Sequence, residues 1–242
     1  MTEKTRKIVL ALPCYGDSYN AGMVRSLIYD MFPLVMRGDE VHIPIPRGHA
    51  DIALLRAQIV ADFLADEDAT DLVMIDSDVA WNDGGLVRLI DHDEDVVAGA
   101  YPKREEPLTF MFRSELENGL WGNAETGLVE VLGVPAGFIR IKRHVLEKMW
   151  NAYEGELSIH DPMVPGEKTV RMFDPYYFDD PKVGRRCLSE DYAFCQRWVD
   201  LGGKIHLDTK IPMAHIGLKA YHGLLGQWMK EQQPPETMEA AE

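Results

Sequence analysis

Two aspartates, Asp76 and Asp78, are separated by one residue and directly follow an apolar run, Leu72 to Ile75. Such a run is typical of a buried strand, and a buried strand that ends in two carboxylates needs a balancing charge. Because side chains alternate along an extended chain, both carboxylates can face one ion while Ser77 points away. Carboxylate oxygens suit Mg²⁺ or Mn²⁺, ions that usually also hold phosphates. The pair therefore predicts a divalent-cation site, with a solvated acidic loop as the alternative.

A second acidic pair, Glu190 and Asp191, follows Ser189 at the start of a predicted helix that runs to Leu201. Serine caps helices well and acidic residues suit the first turn, so capping alone would explain the motif. A helical projection, however, places Asp191 within an apolar stripe and Glu190 at its edge. The stripe comprises Phe194, Cys195, Trp198 and Val199. An inward carboxylate needs a partner or a role, and one such role is that of general base toward a hydroxyl group.

One histidine, His215, follows a short predicted strand at 204–207 and lies in the apolar run from Ile211 to Gly217. A lone histidine beside an apolar run is usually a hydrogen-bonded structural residue. In this chain it comes after both acidic pairs. Three features thus follow one another along the chain: carboxylates at a strand end, an inward acid at a helix start, and a histidine after the next strand. This order makes His215 a candidate functional residue.

Strand-like and helix-like segments alternate through about the first hundred residues, which predicts an α/β fold with a mostly parallel sheet flanked by helices. The predicted strands are 8–12, 41–45, 72–75 and 96–101, and the predicted helices are 20–36, 50–64 and 86–90. The second half is less regular, with strands predicted at 129–132 and 138–141 and helices at 145–153 and 220–229. The length suits a single compact domain of two halves.

The segment from 154 to 187 shows no sustained period and is rich in proline, aspartate and aromatic residues. Irregular segments of this length in a compact domain are usually functional or disordered. The aromatic residues are Phe173, Tyr176, Tyr177 and Phe178. We therefore predict a mobile flap that meets a ligand rather than a plain linker.

The chain of 242 residues carries a formal net charge of -15, which argues against wide, nonspecific binding to a nucleic-acid backbone. No apolar run approaches the roughly 20 residues needed to span a bilayer, so we expect no membrane helix. The three cysteines, Cys14, Cys187 and Cys195, lack metal-ligand spacing and suit reduced thiols in a cytoplasmic protein. The acidic tail at 231–242 is predicted to be disordered.

Four further features join these motifs in a fixed order along the chain. They are the proline-containing turn Leu12-Pro13-Cys14-Tyr15-Gly16, Arg56 on the helix before the Asp-x-Asp strand, the basic turn Tyr101-Pro102-Lys103-Arg104, and the Gly-rich strand Gly133 to Ile141. The whole arrangement, from about Ile8 to Gly217, resembles the GT-A class of nucleotide-sugar-dependent glycosyltransferases, especially the small family-two-like enzymes of bacterial and phage genomes.

The resemblance implies a GT-A fold and metal-dependent transfer of a sugar from a nucleotide-sugar donor to a hydroxyl of a soluble acceptor, with inversion. It implies that Asp76, Asp78 and His215 hold Mn²⁺ or Mg²⁺, and that Asp191, with Glu190 beside it, acts as the general base. The implied nucleotide-sugar-binding residues are Pro13, Tyr15, Arg56, Asp76, Ser77, Lys103 and Arg104. The implied parts are a donor-binding half at 1–102, an acceptor-binding and catalytic half at 103–217, and a C-terminal helix and tail at 218–242.

Two other functions fit parts of the sequence. A nucleotidyltransferase acting on a sugar phosphate also needs carboxylate-bound Mg²⁺, but it should carry a basic Gly-rich loop after the first strand, and residues 13–20 contain no Lys or Arg. A noncatalytic nucleotide or carbohydrate binder would not need both acidic pairs and the histidine. The acceptor is open, and a modified base in DNA is one candidate that the negative net charge disfavours. The donor nucleobase, the choice between inversion and retention, the choice between Mn²⁺ and Mg²⁺, and the oligomeric state are open as well.

Overall fold

The computed structural model describes residues 5–14, 16, 18–46, 50–114, 122–160 and 168–232. Two sequence predictions lie outside these residues: the donor-binding role of Tyr15 and the disorder of the tail beyond residue 232. Within the described ranges, no helix combines the length and the apolar character needed to cross a bilayer.

Helices and strands follow one another along the chain as an α/β fold requires. The elements are β1 (Lys7–Ala11), α1 (Ala21–Met36), β2 (Glu40–His42), α2 (Ile52–Ala65), β3 (Asp71–Ile75), β4 (Val79–Trp81), α3 (Gly85–Asp91), β5 (Val96–Gly99), β6 (Leu128–Val131), β7 (Phe138–Lys142), α4 (Arg143–Leu157), β8 (Ser158–His160), β9 (Lys168–Val170), β10 (Tyr176–Asp180), β11 (Gly184–Leu188), α5 (Glu190–Asp200), β12 (Ile205–Asp208), β13 (Met213–Ile216), β14 (Ala220–Gly223) and α6 (Leu225–Glu231).

The central sheet has seven strands in the order β2-β1-β3-β7-β5-β12-β6. Parallel pairing joins β2 to β1, β1 to β3 and β5 to β12. In contrast, β7 runs antiparallel to β3 and β5, and β6 runs antiparallel to β12. Five of the seven strands therefore point the same way, and the predicted α/β fold with a mostly parallel sheet flanked by helices is confirmed.

Two apolar layers cover the faces of this sheet. Leu72 and Met74 of β3 pack on the side of α2, α4 and α5, whereas Val73 and Ile75 pack on the side of α1 and α3. All four side chains are fully buried, which is why this strand is apolar throughout instead of alternating. Strands from both sides of residue 102 share the sheet, and the division into donor and acceptor halves stays a prediction.

A second sheet of three strands, in the order β14-β13-β4, lies next to the end of β3. Strand β4 begins directly after Asp78, and β13 pairs with it so that His215 is opposite Val79. The amide of Ile216 also donates to the Asp78 carbonyl at 2.8 Å. The sequence pattern misses this pairing because β4 has three residues and β13 four, too few to show a period. The helix predicted at 220–229 is wrong in its first part, which forms β14.

The segment predicted to be an irregular flap, 154–187, is mostly regular where the structure describes it. Helix α4 continues to Leu157, β8 pairs with β9, and β10 pairs with β11 as an antiparallel hairpin. Phe173 is fully buried, and its ring stacks on that of Phe194 at 4.6 Å between centroids. The flap interpretation is therefore wrong for Phe173, which belongs to the core. Four strands of three to five residues each leave no period long enough to detect.

Candidate active site

A cleft of about 510 Å³ opens where β3 and β5 end and α5 begins. The carboxyl ends of parallel strands are the usual place for ligands in open α/β sheets. Most of the described residues that line the cleft come from α2, the β3–β4 turn, the start of α5 and β13, and the others lie just before α2 or between β5 and β7: Ala50, Ile52, Leu55, Arg56, Asp76, Ser77, Asp78, Tyr101, Met111, Pro135, Ser189, Glu190, Asp191, Tyr192 and His215.

Most of the residues singled out from the sequence meet in this cleft. Those that line it are Arg56, Asp76, Ser77, Asp78, Glu190, Asp191 and His215. Three others do not line it. Pro13 is buried just after β1, and Lys103 directs its ammonium group to Glu105 at 3.6 Å. Arg104 reaches the cleft only through its hydrogen bond to the Asp78 carboxylate.

Arg56 is the centre of the acidic side of the cleft. Its side chain is only 3% exposed, and its guanidinium hydrogen-bonds the Asp191 carboxylate. It also lies 3.2 Å from Asp76 Oδ1 and 3.6 Å from Glu190 Oε1. Burial by itself would lower the pKa of Arg56, but the carboxylates of Asp191 and Asp76 raise it above its ordinary value, so the group stays charged. Three carboxylates from two separate motifs are thus held by one buried cation.

Asp191 is a carboxylate with strongly perturbed acidity. Its side chain is 18% exposed, and burial raises its pKa to about 6, with Arg56 acting in the opposite direction and Glu190 and Asp76 adding to the rise. Ser189 occupies the N-cap position of α5, yet its side chain makes no capping hydrogen bond. A carboxylate with a pKa near neutrality, facing a cleft, has the acidity that suits a general base.

Asp78 and His215 form the neighbouring pair of possible metal donors. His215 Nδ1 lies 3.1 Å from the carbonyl oxygen of Pro102, which can only accept, so Nδ1 carries the proton. The other ring nitrogen, Nε2, lies 3.8 Å from Asp78 Oδ2 and keeps a free lone pair. Burial, assisted by the nearby Arg104, lowers the pKa of His215, which favours the neutral ring. A histidine held by a backbone carbonyl in this way has the orientation typical of a metal ligand.

The third predicted donor, Asp76, lies in the same cleft but is held by Arg56. In the described part of the chain, no three His, Cys, Asp or Glu side chains converge closely enough to enclose a metal ion. The donor types nevertheless suit Mg²⁺ or Mn²⁺, since two carboxylates and a neutral imidazole face one cavity. The described residues that line it include four carboxylates and one guanidinium, and this excess of negative charge also favours a cation.

Several cleft residues were not identified from the sequence. Tyr101 is buried, and its ring meets that of His215 edge-on, with 5.0 Å between the ring centroids. Burial is the main cause that raises the pKa of Tyr101 well above its usual value, and the nearby Asp76 carboxylate adds to it, so the side chain remains a neutral phenol. At Gly137 any Cβ would come within 2.5 Å of Asp76 Oδ2 and closer still to the Tyr101 hydroxyl. A glycine directly before a buried strand is a signal for such a close approach. The aromatic Tyr192, next to Asp191, gave no signal of its own.

No family model matches the sequence, and no curated protein matches it either. Among solved structures, A197 from STIV is 19% identical, with a TM-score of 0.52 and 87% of this chain and 86% of that chain covered. The chain therefore shares its fold with A197, and this fold is GT-A-like.

Two other solved structures are much less similar. The 4-diphosphocytidyl-2C-methyl-D-erythritol synthase of Anaerococcus prevotii DSM 20548 is 9% identical, with a TM-score of 0.35 and coverage of 64% of this chain and 80% of that chain. A glycosyltransferase involved in glycosylation of the major capsid of PBCV-1 is 12% identical, with a TM-score of 0.29 and coverage of 59% and 66%. Similarities at that level do not define a shared fold.

Proposed function

We propose that this chain transfers a sugar from a nucleotide-sugar donor to a hydroxyl group of an acceptor, in a reaction that requires Mn²⁺ or Mg²⁺. One observation carries the proposal: Asp76, Asp78, Glu190 and Asp191 converge in a single cleft with His215, although they come from distant parts of the sequence. The GT-A-like fold is consistent with this activity but does not define it, because unrelated functions share folds.

A cation held by Asp76, Asp78 and His215 would stabilise the negative charge that develops on the nucleoside diphosphate as it leaves. The charges of the cleft explain why a cation is needed to bind the diphosphate. Arg56 and Arg104 are both engaged by carboxylates, and no other cationic side chain is among the described residues that line the cleft, so a diphosphate alone would be repelled. Ser77, Lys103 and Arg104 remain candidates for donor contacts, together with Pro13 and Tyr15.

Asp191 performs the proton transfer in this proposal. Its carboxylate takes the proton of the acceptor hydroxyl as the hydroxyl oxygen forms a bond to the anomeric carbon. The bond from that carbon to the diphosphate oxygen breaks, and its electron pair leaves with the nucleoside diphosphate. Attack from the face opposite the leaving group inverts the anomeric centre. Arg56 keeps the Asp191 carboxylate in place through its hydrogen bond, while Glu190, 3.6 Å from Arg56, helps to raise the pKa of Asp191.

The test uses the Asp191→Asn variant with UDP-, GDP- and dTDP-sugars, in the presence of Mn²⁺. We expect turnover, measured as release of nucleoside diphosphate, to fall by about 10²–10⁴-fold, the usual contribution of a general base. Binding of the donor, measured by calorimetry, should persist because Asp191 is not a proposed metal ligand. The matched control is Asp200→Asn, an exposed acid at the other end of α5, which should leave turnover unchanged.

Other outcomes decide between functions. Release of pyrophosphate from a nucleoside triphosphate and a sugar phosphate would indicate a nucleotidyltransferase. Donor binding that shows neither metal dependence nor turnover would indicate a noncatalytic binder. Full turnover by Asp191→Asn would remove the general base from the proposal. DNA containing hydroxylated bases should be included among the acceptors, although the net charge of -15 opposes its binding.

A further inference from the structure

Helix α1 has an apolar face that points away from the protein. Nine of its 16 residues are exposed, and Arg25 is the single charged residue among them. The large apolar side chains on this face, with their exposed fractions, are Val24 at 38%, Ile28 at 61%, Tyr29 at 54%, Phe32 at 69%, Val35 at 52% and Met36 at 68%. Surface helices normally place polar residues on that side, and a helix that is apolar all round is normally covered on all sides.

The rotation of α1 is fixed by its polar residues, which face inward. Ser26 exchanges hydrogen bonds with the backbone of Trp81, at 2.5 Å and 3.1 Å. Asp30 is buried and accepts from Trp81 Nε1 at 2.9 Å and from the amides of Gly84 and Leu86 at 2.5 Å and 2.7 Å. Turning the helix to bury its apolar face would break these hydrogen bonds and leave the donors of Trp81, Gly84 and Leu86 without their acceptors, so α1 cannot hide this face by rotation.

We propose that a second copy of this chain covers the exposed face of α1, forming a twofold-symmetric dimer. Side chains of these sizes at these exposures present roughly 600 Å² of apolar surface, of which aromatic rings supply a large part. This area is at the upper end of the roughly 300–600 Å² that the largest apolar patch of a monomer usually exposes, and it approaches the ~800 Å² that each partner contributes to a stable interface. Two antiparallel α1 helices are self-complementary about a twofold axis near Asp30, which brings Ile28 of each copy toward Phe32 of the other.

The charges around the patch favour a protein partner over a lipid surface. At one end Arg25 pairs with Asp83 at 3.1 Å, and at the other Arg37 pairs with Asp91 at 2.6 Å. An apolar centre rich in aromatic residues and Met, with paired charges at its rim, is the composition of a protein interface. Helices that bind membranes carry many unpaired basic residues on their polar side, whereas this chain has a net charge of -15. The dimer does not depend on the proposed enzymatic activity.

The test measures molar mass in solution by light scattering and by sedimentation at several concentrations. The wild-type chain should have twice the 27.4 kDa of one chain, and Phe32→Glu should reduce the mass to that of one chain. The matched control is Val183→Glu in the β10–β11 turn, where the exposed fraction is 70% against 69% for Phe32, and it should remain a dimer. Circular dichroism checks that the variants fold.

A cross-linking experiment avoids any dependence on the folding of Phe32→Glu. With Cys187→Ser removing the exposed native thiol, an equal mixture of Ile28→Cys and Phe32→Cys chains should form a disulfide between the two kinds of chain under mild oxidation, and a mixture of Ile28→Cys and Val183→Cys chains should not. A wild-type chain that stays monomeric at all concentrations, or a dimer that survives Phe32→Glu, overturns the proposal. A membrane-binding result would also overturn the proposal: the wild-type chain would have the mass of a monomer and would cosediment with phosphatidylcholine–phosphatidylglycerol vesicles, and Phe32→Glu would abolish the cosedimentation.

Discussion

A single guanidinium, that of Arg56, contacts three of the acids of the cleft. Arg56 is buried and shared by Asp191, Asp76 and Glu190, so the candidate base and one candidate metal ligand depend on the same positive charge. Burial still outweighs that charge at Asp191, whose pKa rises to about 6. The arrangement leaves a carboxylate that is basic enough to accept a proton yet largely ionised at neutral pH.

The pH dependence of the proposed reaction follows from this value. Asp191 is protonated below its pKa and can act as a base only above it. We therefore expect kcat/KM to fall about tenfold per pH unit below about pH 6 and to level off above it. The measurement is a pH profile at fixed Mn²⁺, with Asp200→Asn giving the same curve as the wild type. A flat profile from pH 5 to pH 8 would contradict the assignment.

At the scale of elements, the short pairing between β4 and β13 brings the metal candidates together. It sets His215 opposite Val79, and the Ile216 amide bonds to the Asp78 carbonyl, so two residues more than a hundred positions apart become neighbours. The two antiparallel strand pairs between α4 and α5, β8–β9 and β10–β11, have a different structural role. They pack against the core through Phe173 and lead directly into the start of α5, where Glu190 lies.

Replacing Phe173 distinguishes a core residue from a ligand-binding one. Phe173 is fully buried against Phe194, so Phe173→Ala should lower the free energy of unfolding by about 3–5 kcal/mol. The control is Tyr177→Ala in β10, where the side chain is 59% exposed and the change should stay within about 0.5 kcal/mol. Urea denaturation measures both. A Phe173→Ala variant of unchanged stability with an altered KM would restore the flap interpretation.

At the scale of the whole molecule, strong local patterns were enough to predict the central sheet and its main helices. β3 and α2 were predicted within two residues of their observed ends, because each carries an uninterrupted apolar run or stripe. Short strands such as β4 could not be predicted, since three residues form strands only through their partners. The contacts of Arg56 could not be predicted either, because they depend on side chains 20 and 135 positions away. The prediction that Arg56 lies on α2 was correct.

The charge of the whole cleft leads to a prediction about metal removal. Because carboxylates outnumber cations four to one among the described residues that line it, UDP, GDP or dTDP should raise the melting temperature only with Mn²⁺ or Mg²⁺ present. At a ligand concentration 100 times the Kd, the stabilisation should be about 2.7 kcal/mol. Thermal denaturation with and without EDTA measures it. Asp78→Asn should abolish the effect and Asp93→Asn, an exposed acid paired with Lys142, should not; equal stabilisation in EDTA would count against the metal.

Strand β12 has a consequence for synthesis on the ribosome. It is made late, at residues 205–208, yet it lies between β5 and β6 and pairs with both. Until it emerges, the nascent polypeptide leaves one side of β5 without its neighbour and β6 outside the sheet. Open strand edges recruit other chains, so polypeptides prematurely terminated before residue 205 should aggregate or engage chaperones.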